Sequence, residues 1–281
     1  MDYTLSFISD QLRESYPEAE AKAIARRLLE SVCALSRHDL LLGKDTKISE
    51  DKQAEVQRCV EELLAYRPLQ YVLGEAEFYG LRLRVDERVL IPRPETEELI
   101  ELILASTPTL RPSILDIGTG SGCIAIALAR ALPQASVYAM DVSAEALEVA
   151  SANARLNKTD VRFFQADVLG DWHQGNLPAQ WDMIVSNPPY ITPEEKASMQ
   201  ANVLNHEPHK ALFVPQDQPL LFYEKIAEAG LTCLSPDGYL FFETSSLYGQ
   251  ATADRIHALG YRTVELYKDI SGRDRMIKAK L

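Results

Sequence analysis

Over residues 1–72 the apolar positions recur at helical spacing: Leu5, Ile8 and Leu12, then Ile24, Leu28, Val32 and Leu35, then Val56, Val60, Leu63 and Leu64. Residues three and four apart share one face of a helix, so the pattern predicts roughly three to five short helices packed as a small bundle. Pro17 suits a helix start, where a fixed φ and a missing N–H cost nothing, and Gly43 with Asp45 marks a break.

After Pro68 the period shortens. Leu81, Leu83 and Val85 alternate with Arg82, Arg84 and Asp86, which predicts a half-exposed strand, and Phe78-Tyr79-Gly80 reads as the turn of a hairpin. Residues 73–93 are therefore expected to form a hairpin linker between two domains. Ile91-Pro92-Arg93-Pro94 forces extended backbone, because a residue before proline is pushed out of the helical region. An acidic first turn, Glu95-Thr96-Glu97-Glu98, then leads into Leu99, Ile100, Leu102 and Ile103. Arg93 is expected to hold this helix start rather than to take part in chemistry.

From Ser113 onward the two periods alternate. Strands are predicted at Ile114–Ile117, Ser136–Met140, Val161–Gln165, Met183–Ser186 and Tyr239–Phe242, with helices such as Cys123–Leu132 and Ala144–Asn157 between them. This alternation predicts an α/β domain over residues 94–281, a mostly parallel, Rossmann-like sheet with helices on both faces. Thr263–Leu266 and Met276–Lys278 are placed to form a hairpin at one edge of that sheet.

Composition adds limits. With 46% hydrophobic and 25% charged residues in 281, a sizeable core is expected and global disorder is not. A formal net charge of −12 disfavours stable nucleic-acid binding and favours a protein partner. The four cysteines are scattered without a Cys-x-x-Cys pair, so neither a disulfide framework nor a zinc site is expected. His206-Glu207-Pro208-His209 has the wrong spacing for a helical zinc site, and no metal is expected. The start of the chain lacks the pattern of a signal peptide and no apolar run suits a membrane span, so a cytoplasmic protein is expected.

Two segments carry candidate chemistry. Asp116-Ile117-Gly118-Thr119-Gly120-Ser121-Gly122 lies between an apolar strand and an apolar helix, where glycines let backbone approach a ligand closely. Further on, Asp141 ends the next strand, placed to accept hydrogen bonds from a ribose diol, and Ala166-Asp167-Val168 ends the third, placed to flank an adenine. The Gly-x-Gly-x-Gly spacing with an acid before it resembles S-adenosylmethionine-dependent methyltransferases more than NAD enzymes. Gly118, Thr119, Gly120, Ser121, Gly122, Asp141, Asp167, Val168 and Asn187 are the candidate cofactor residues.

The second segment is an apolar strand ending abruptly in Asn187-Pro188-Pro189-Tyr190. A planar NH2 group conjugated to a carbonyl or ring is a poor nucleophile. Two acceptors on its two hydrogens hold it in line with a methyl donor and favour the pyramidal nitrogen of the transition state. The Asn187 side-chain oxygen is one candidate acceptor and the Pro188 carbonyl the other. Prolines 188 and 189 fix the backbone, and Tyr190 offers a ring face to a planar substrate group. Asn187, Pro188 and Tyr190 are the candidate catalytic residues; with Pro189 they form the candidate substrate site.

Arg67-Pro68-Leu69-Gln70-Tyr71, the run Gly74–Gly80, Ile91–Glu97, Gly118–Gly122, Asn187–Ile191 and Gly272-Arg273-Asp274-Arg275 together resemble the bacterial release-factor glutamine methyltransferase family, over almost the whole chain. The resemblance implies S-adenosylmethionine as methyl donor and a substrate glutamine in the Gly-Gly-Gln motif of class I peptide-chain release factors. It also implies that residues 1–72 form a substrate-docking domain. The chain departs from the family pattern at Val168, where a large aromatic is frequent and Trp172 follows a few residues later. It departs again at Phe213–Asp217, which replaces a glycine-rich turn, and at Glu243-Thr244-Ser245-Ser246 in place of Glu-Ile-Gly. A ribosomal-protein glutamine methyltransferase and an adenine exocyclic-amine methyltransferase acting on RNA or DNA are the rival readings.

Overall fold

In the computed structural model, residues 4–41, 48–107, 109–170, 172 and 177–281 are described. The break expected at Gly43 and Asp45 lies outside them. The chain divides into two compact units, one of residues 1–75 with 200–206 and the other of residues 76–199 with 207–281.

The first unit is helical. It holds α1 (Leu5–Leu12), α2 (Glu18–Cys33), α3 (Arg37–Leu41), α4 (Glu50–Leu64) and α5 (Leu69–Leu73). Its core joins Ile8 and Leu12 of α1, Ile24 and Leu28 of α2, and Val56, Val60 and Leu63 of α4, the positions the helical spacing singled out. Leu35 is the exception: α2 stops at Cys33 because Ala34 takes the left-handed conformation with φ 53°. Pro17 is the N-cap of α2, as its position suggests.

A two-stranded hairpin follows, β1 (Glu75–Phe78) and β2 (Leu81–Arg84). Tyr79 and Gly80 both have positive φ, 48° and 69°, the pair of values that a two-residue turn matched to strand twist requires. Then come α6 (Pro94–Ser106), β3 (Ser113–Ile117), α7 (Cys123–Ala131), β4 (Ser136–Asp141), α8 (Ala144–Asn157), β5 (Val161–Gln165) and β6 (Trp181–Ser186). The short helices α9 (Ala201–His206) and α10 (His209–Leu212) precede α11 (Leu221–Cys233), β7 (Leu234–Glu243), α12 (Gly249–Leu259), β8 (Thr263–Lys268) and β9 (Asp274–Lys280).

The large sheet has seven strands in the order β5-β4-β3-β6-β7-β9-β8, parallel except where β9 pairs antiparallel with β7 and β8. The expected terminal hairpin is therefore present, with β9 inside and β8 at the edge. Alternate residues of β3 face opposite layers: Ile114 belongs to the core beneath α6 and α7, Leu115 and Ile117 to the core that includes Tyr223 and Ile226 of α11. Strand β7 begins at Leu234, before the expected Tyr239. Its first part carries Pro236 and Gly238, and the pairing with β6 shifts register between Trp181 and Met183, which hides the strand from a period-two search.

β3 runs on to β4 on one side and meets β6 on the other, so the order reverses between β3 and β6. Ligands bind at such a switch point, beyond the carboxyl ends of the strands.

Candidate active site

Register brings the two candidate segments together. Ile117 of β3 pairs with Met140 of β4 and with Ser186 of β6, and Ser186 pairs with Phe242 of β7. The residues one step beyond are Gly118, Asp141, Asn187 and Glu243, on four neighbouring strand ends.

The glycine loop is held from three sides. The Gly118 and Thr119 N–H groups donate to the Met140 carbonyl at 2.9 and 3.0 Å. Gly120 N–H donates to Asp141 Oδ2 at 2.9 Å. Asn153 of α8, fully buried, donates to the carbonyls of Ser121 and Arg84, each at 2.9 Å, and accepts from Arg84 N–H at 2.7 Å. At Gly120, with φ 54°, a Cβ would stand in open space with nothing within 4 Å, so the missing side chain leaves a cradle. Gly122 serves packing instead: a Cβ there would lie 3.0 Å from Ile126 Cδ1 and 3.1 Å from Ala150 Cβ.

Asp116 is fully buried beneath this loop. Its Oδ2 accepts from Thr119 Oγ1 at 2.6 Å and from Ala125 N–H at 3.3 Å, while Oδ1 has no hydrogen-bond partner among the described residues. Burial pushes its carboxyl up to about 7, against the Thr119 and Ala125 hydrogen bonds that pull it down. A buried acceptor left alone costs about 1–3 kcal/mol, which a ligand bearing a cationic N–H group offsets. S-adenosylmethionine carries such a group, and a ribose diol that matches the half-buried Asp141. The orphaned Asp116 oxygen and the open cradle at Gly120 thus fit that cofactor.

The third strand end differs in character. Asp167 is exposed, with Oδ1 accepting from Leu169 N–H at 2.9 Å, and Val168 is half-buried against the core. Trp172 is buried in the core cluster that contains Ile117, Tyr138 and Met140. Val168 thus keeps the strand-end position, while the indole serves the core.

After β6, Asn187 is half-buried and its Oδ1 accepts nothing from the described residues. The Pro188 carbonyl likewise accepts no hydrogen bond among them, as expected where prolines interrupt the ladder. Asn187 Nδ2 lies 3.5 Å from Thr96 Oγ1 of α6. Tyr190 packs against the same core as Tyr223, and burial raises its phenol. Glu243, Arg275, Arg93 and Glu95 all act on it electrostatically.

Arg93 caps the helix start through its backbone, its carbonyl accepting from Thr96 N–H at 3.1 Å, while its side chain turns away from the acidic turn. Its Nη2 donates to Glu207 Oε1 at 2.6 Å, and Glu207 Oε2 accepts from Ile91 N–H at 3.3 Å. Glu207 is buried, so the pair straps the Pro-Arg-Pro segment to the turn between α9 and α10. His206 closes α9 and His209 opens α10, on either side of Pro208.

Thr96, Asn153 and Glu243 escaped the sequence reading. Asn153 had a signal, since it sits among Val149, Ala150 and Ala154 on the apolar face of α8. Glu243 had a weaker one, a carboxylate at the carboxyl end of a strand. Thr96 had none.

A family model described as "Methyltransferase small domain" matches residues 96–213, and one described as "PrmC N-terminal domain" matches residues 4–74. The chain is 44% identical to a release factor glutamine methyltransferase of Bacteroides thetaiotaomicron over 280 residues, 99% of each chain. It is 42% identical to one of Flavobacterium psychrophilum over 281 residues, covering 99% of this chain and 97% of that one. A crystal structure of a methyltransferase from Pyrococcus furiosus shares the fold, with TM-score 0.52 and 20% identity over 83% of this chain and 99% of that one.

Proposed function

We propose, from the premise that the chain belongs to the release factor glutamine methyltransferase family, that it transfers a methyl group from S-adenosyl-L-methionine to the side-chain amide nitrogen of the glutamine in the Gly-Gly-Gln motif of class I release factors. The observation that carries this reading is the pair of acceptors left unengaged by the described residues, Asn187 Oδ1 and the Pro188 carbonyl, beside the glycine loop at the switch point. When bound, S-adenosylmethionine supplies an electrophilic sulfonium methyl. Gly118–Gly122 and Asp116 would hold its amino-acid end, Asp141 would hold the ribose diol, and Asp167 with Val168 would flank the adenine.

Asn187 Oδ1 and the Pro188 carbonyl each accept one hydrogen of the substrate NH2. A primary amide nitrogen shares its lone pair with its carbonyl, and two fixed acceptors favour the geometry in which that lone pair points at the methyl. The Tyr190 ring and Pro189 flank the planar amide. The amide carries positive charge as it is methylated and is then a strong acid, so no strong base has to act beforehand.

Residues 1–72 are the docking module for the release factor in this reading, and residues 73–93 the linker to the catalytic domain. A reaction on a release factor takes place where translation does, so we place the protein in the cytoplasm, with no stable nucleic-acid partner and no membrane. The net charge of −12 supports a protein rather than a polyphosphate substrate. The reading is tested by offering tritiated S-adenosylmethionine with a release factor, ribosomal proteins and RNA in parallel. Label on the release factor alone is expected. Label on ribosomal protein or RNA, with none on the factor, would replace the substrate.

A further inference from the structure

We infer that Thr96 and Glu243 are positioning residues for this chemistry: they hold the Asn187 side chain with its NH2 engaged inside the protein and its Oδ1 left for the substrate amide. The inference rests on the proposed methylation of an amide nitrogen, and it concerns which end of Asn187 meets that nitrogen. The two ends of an asparagine amide are alike in shape and opposite in function. Flipped, Asn187 would present N–H donors to the N–H donors of its substrate.

Thr96 and Glu243 decide the direction. Both are buried, each 2% exposed, and the Thr96 hydroxyl donates to Glu243 Oε2. An ionised carboxylate only accepts, so the single hydroxyl hydrogen of Thr96 is committed to it. What Thr96 Oγ1 turns toward Asn187 is then a lone pair, and the Asn187 atom 3.5 Å away is Nδ2. The Asn187 amide also lies close enough to the Glu243 carboxyl to pull its pKa down. The chain of donors thus runs one way, from Asn187 through Thr96 to a carboxylate that cannot donate back.

The anchor itself is fixed by backbone. Glu243 pairs with Met276 of β9, and the Tyr223 hydroxyl donates to the Glu243 carbonyl at 3.3 Å. Thr96 is held in the first turn of α6, its N–H donating to the Arg93 carbonyl at 3.1 Å. A threonine serving only to join α6 to β7 would need no more than a carbonyl as its acceptor. Burying a carboxylate there is expensive, and as a charged acceptor it holds the Thr96 hydroxyl hydrogen more strongly than a neutral carbonyl would.

The groups facing the Glu243 carboxyl are Thr96 and Glu95 from α6, Cys123 from α7, Tyr223 from α11, Arg275 from β9, and Asn187 with Tyr190 after β6. Burial pushes it up to about 6, while Thr96, Arg275 and Asn187 pull it down and Glu95 adds to the rise. Protonated, Glu243 becomes a donor toward Thr96, and the direction of the chain is lost.

The test compares wild type, Thr96→Val, Thr96→Ser and Glu243→Gln in methyl transfer to a release factor from about pH 5 to about pH 8. In parallel, nitrogen-15 NMR follows the Asn187 side-chain NH2, assigned by its loss in Asn187→Ala, in the protein without ligands. Thr96→Val is expected to lower kcat about tenfold or more with the KM for S-adenosylmethionine unchanged, and Thr96→Ser to recover most of the loss. Glu243→Gln is expected to lose the acid limb of the kcat profile. The Asn187 NH2 resonance should move with pH in wild type and stay fixed in Glu243→Gln. A Thr96→Val kcat within about twofold of wild type, or an unaltered acid limb in Glu243→Gln, overturns the inference. Should wild type leave the release factor unmethylated, the substrate reading fails and the NMR still decides. An Asn187 resonance indifferent to pH, to Thr96→Val and to Glu243→Gln overturns the positioning role by itself.

Discussion

Asp141 accepts a hydrogen bond from the Gly120 N–H at 2.9 Å, so the acid that ends β4 also shapes the glycine loop that follows β3. Its other oxygen accepts from Ser143 N–H at 2.9 Å, at the N-cap of α8. Asp141 is half-buried, and each of its oxygens retains a lone pair for a ligand hydroxyl. Replacing it therefore removes a ligand contact and slackens the loop in one step. Asp141→Ala is expected to weaken S-adenosylmethionine binding about tenfold or more with a small change in melting temperature, measured by titration calorimetry and thermal unfolding.

Gly120→Ala probes the cradle. The φ of 54° costs a side chain about 1–2 kcal/mol, and the new methyl meets no protein atom within 4 Å. The fold is thus expected to survive while cofactor affinity drops, because the methyl stands where backbone and ligand approach each other. Calorimetric titration against circular dichroism separates the two effects.

Asn153→Leu is a stability variant. It leaves the Arg84 N–H and the Arg84 and Ser121 carbonyls without the partner they share. The expected loss is about 2–4 kcal/mol, read from urea unfolding, with weakened cofactor binding because Ser121 lies in the loop.

Much of this site was legible along the chain, and the limit has a physical form. The ends of β3, β4, β5 and β6 fall where apolar runs meet Gly118, Asp141, Ala166 and Asn187, since those signals are local. Arg93 caps the helix start as its position suggests, but its side-chain partner Glu207 is more than a hundred residues on and leaves no local signal. Thr96 and Glu243 meet through the register of β6 with β7 and the placement of α6, which spacing does not encode. Leu35 fell outside its helix because Ala34 adopts a left-handed conformation that periodicity cannot register.

Asp116 gives a pH signature. The folded protein holds its proton up to about 7, whereas the unfolded chain releases it near the ordinary carboxylate value of about 4. Between those values the folded state binds more protons, so the contribution of this group to stability is fullest below about 4 and is lost as pH rises through about 7. Asp116→Asn is expected to remove that part of the decline. The check is the difference in urea midpoint between wild type and variant across this range.

The most direct measurement locates the transferred methyl by tandem mass spectrometry of a release factor after reaction with wild type and with Asn187→Ala, beside a factor whose Gly-Gly-Gln glutamine is replaced by glutamate. One methyl on that glutamine side chain, lowered about a hundredfold or more by Asn187→Ala and missing from the glutamate factor, is the predicted result. A methyl elsewhere on the factor, or one that Asn187→Ala transfers at the wild-type rate, would contradict the assignment of Asn187 and Pro188 as the acceptors of the substrate amide.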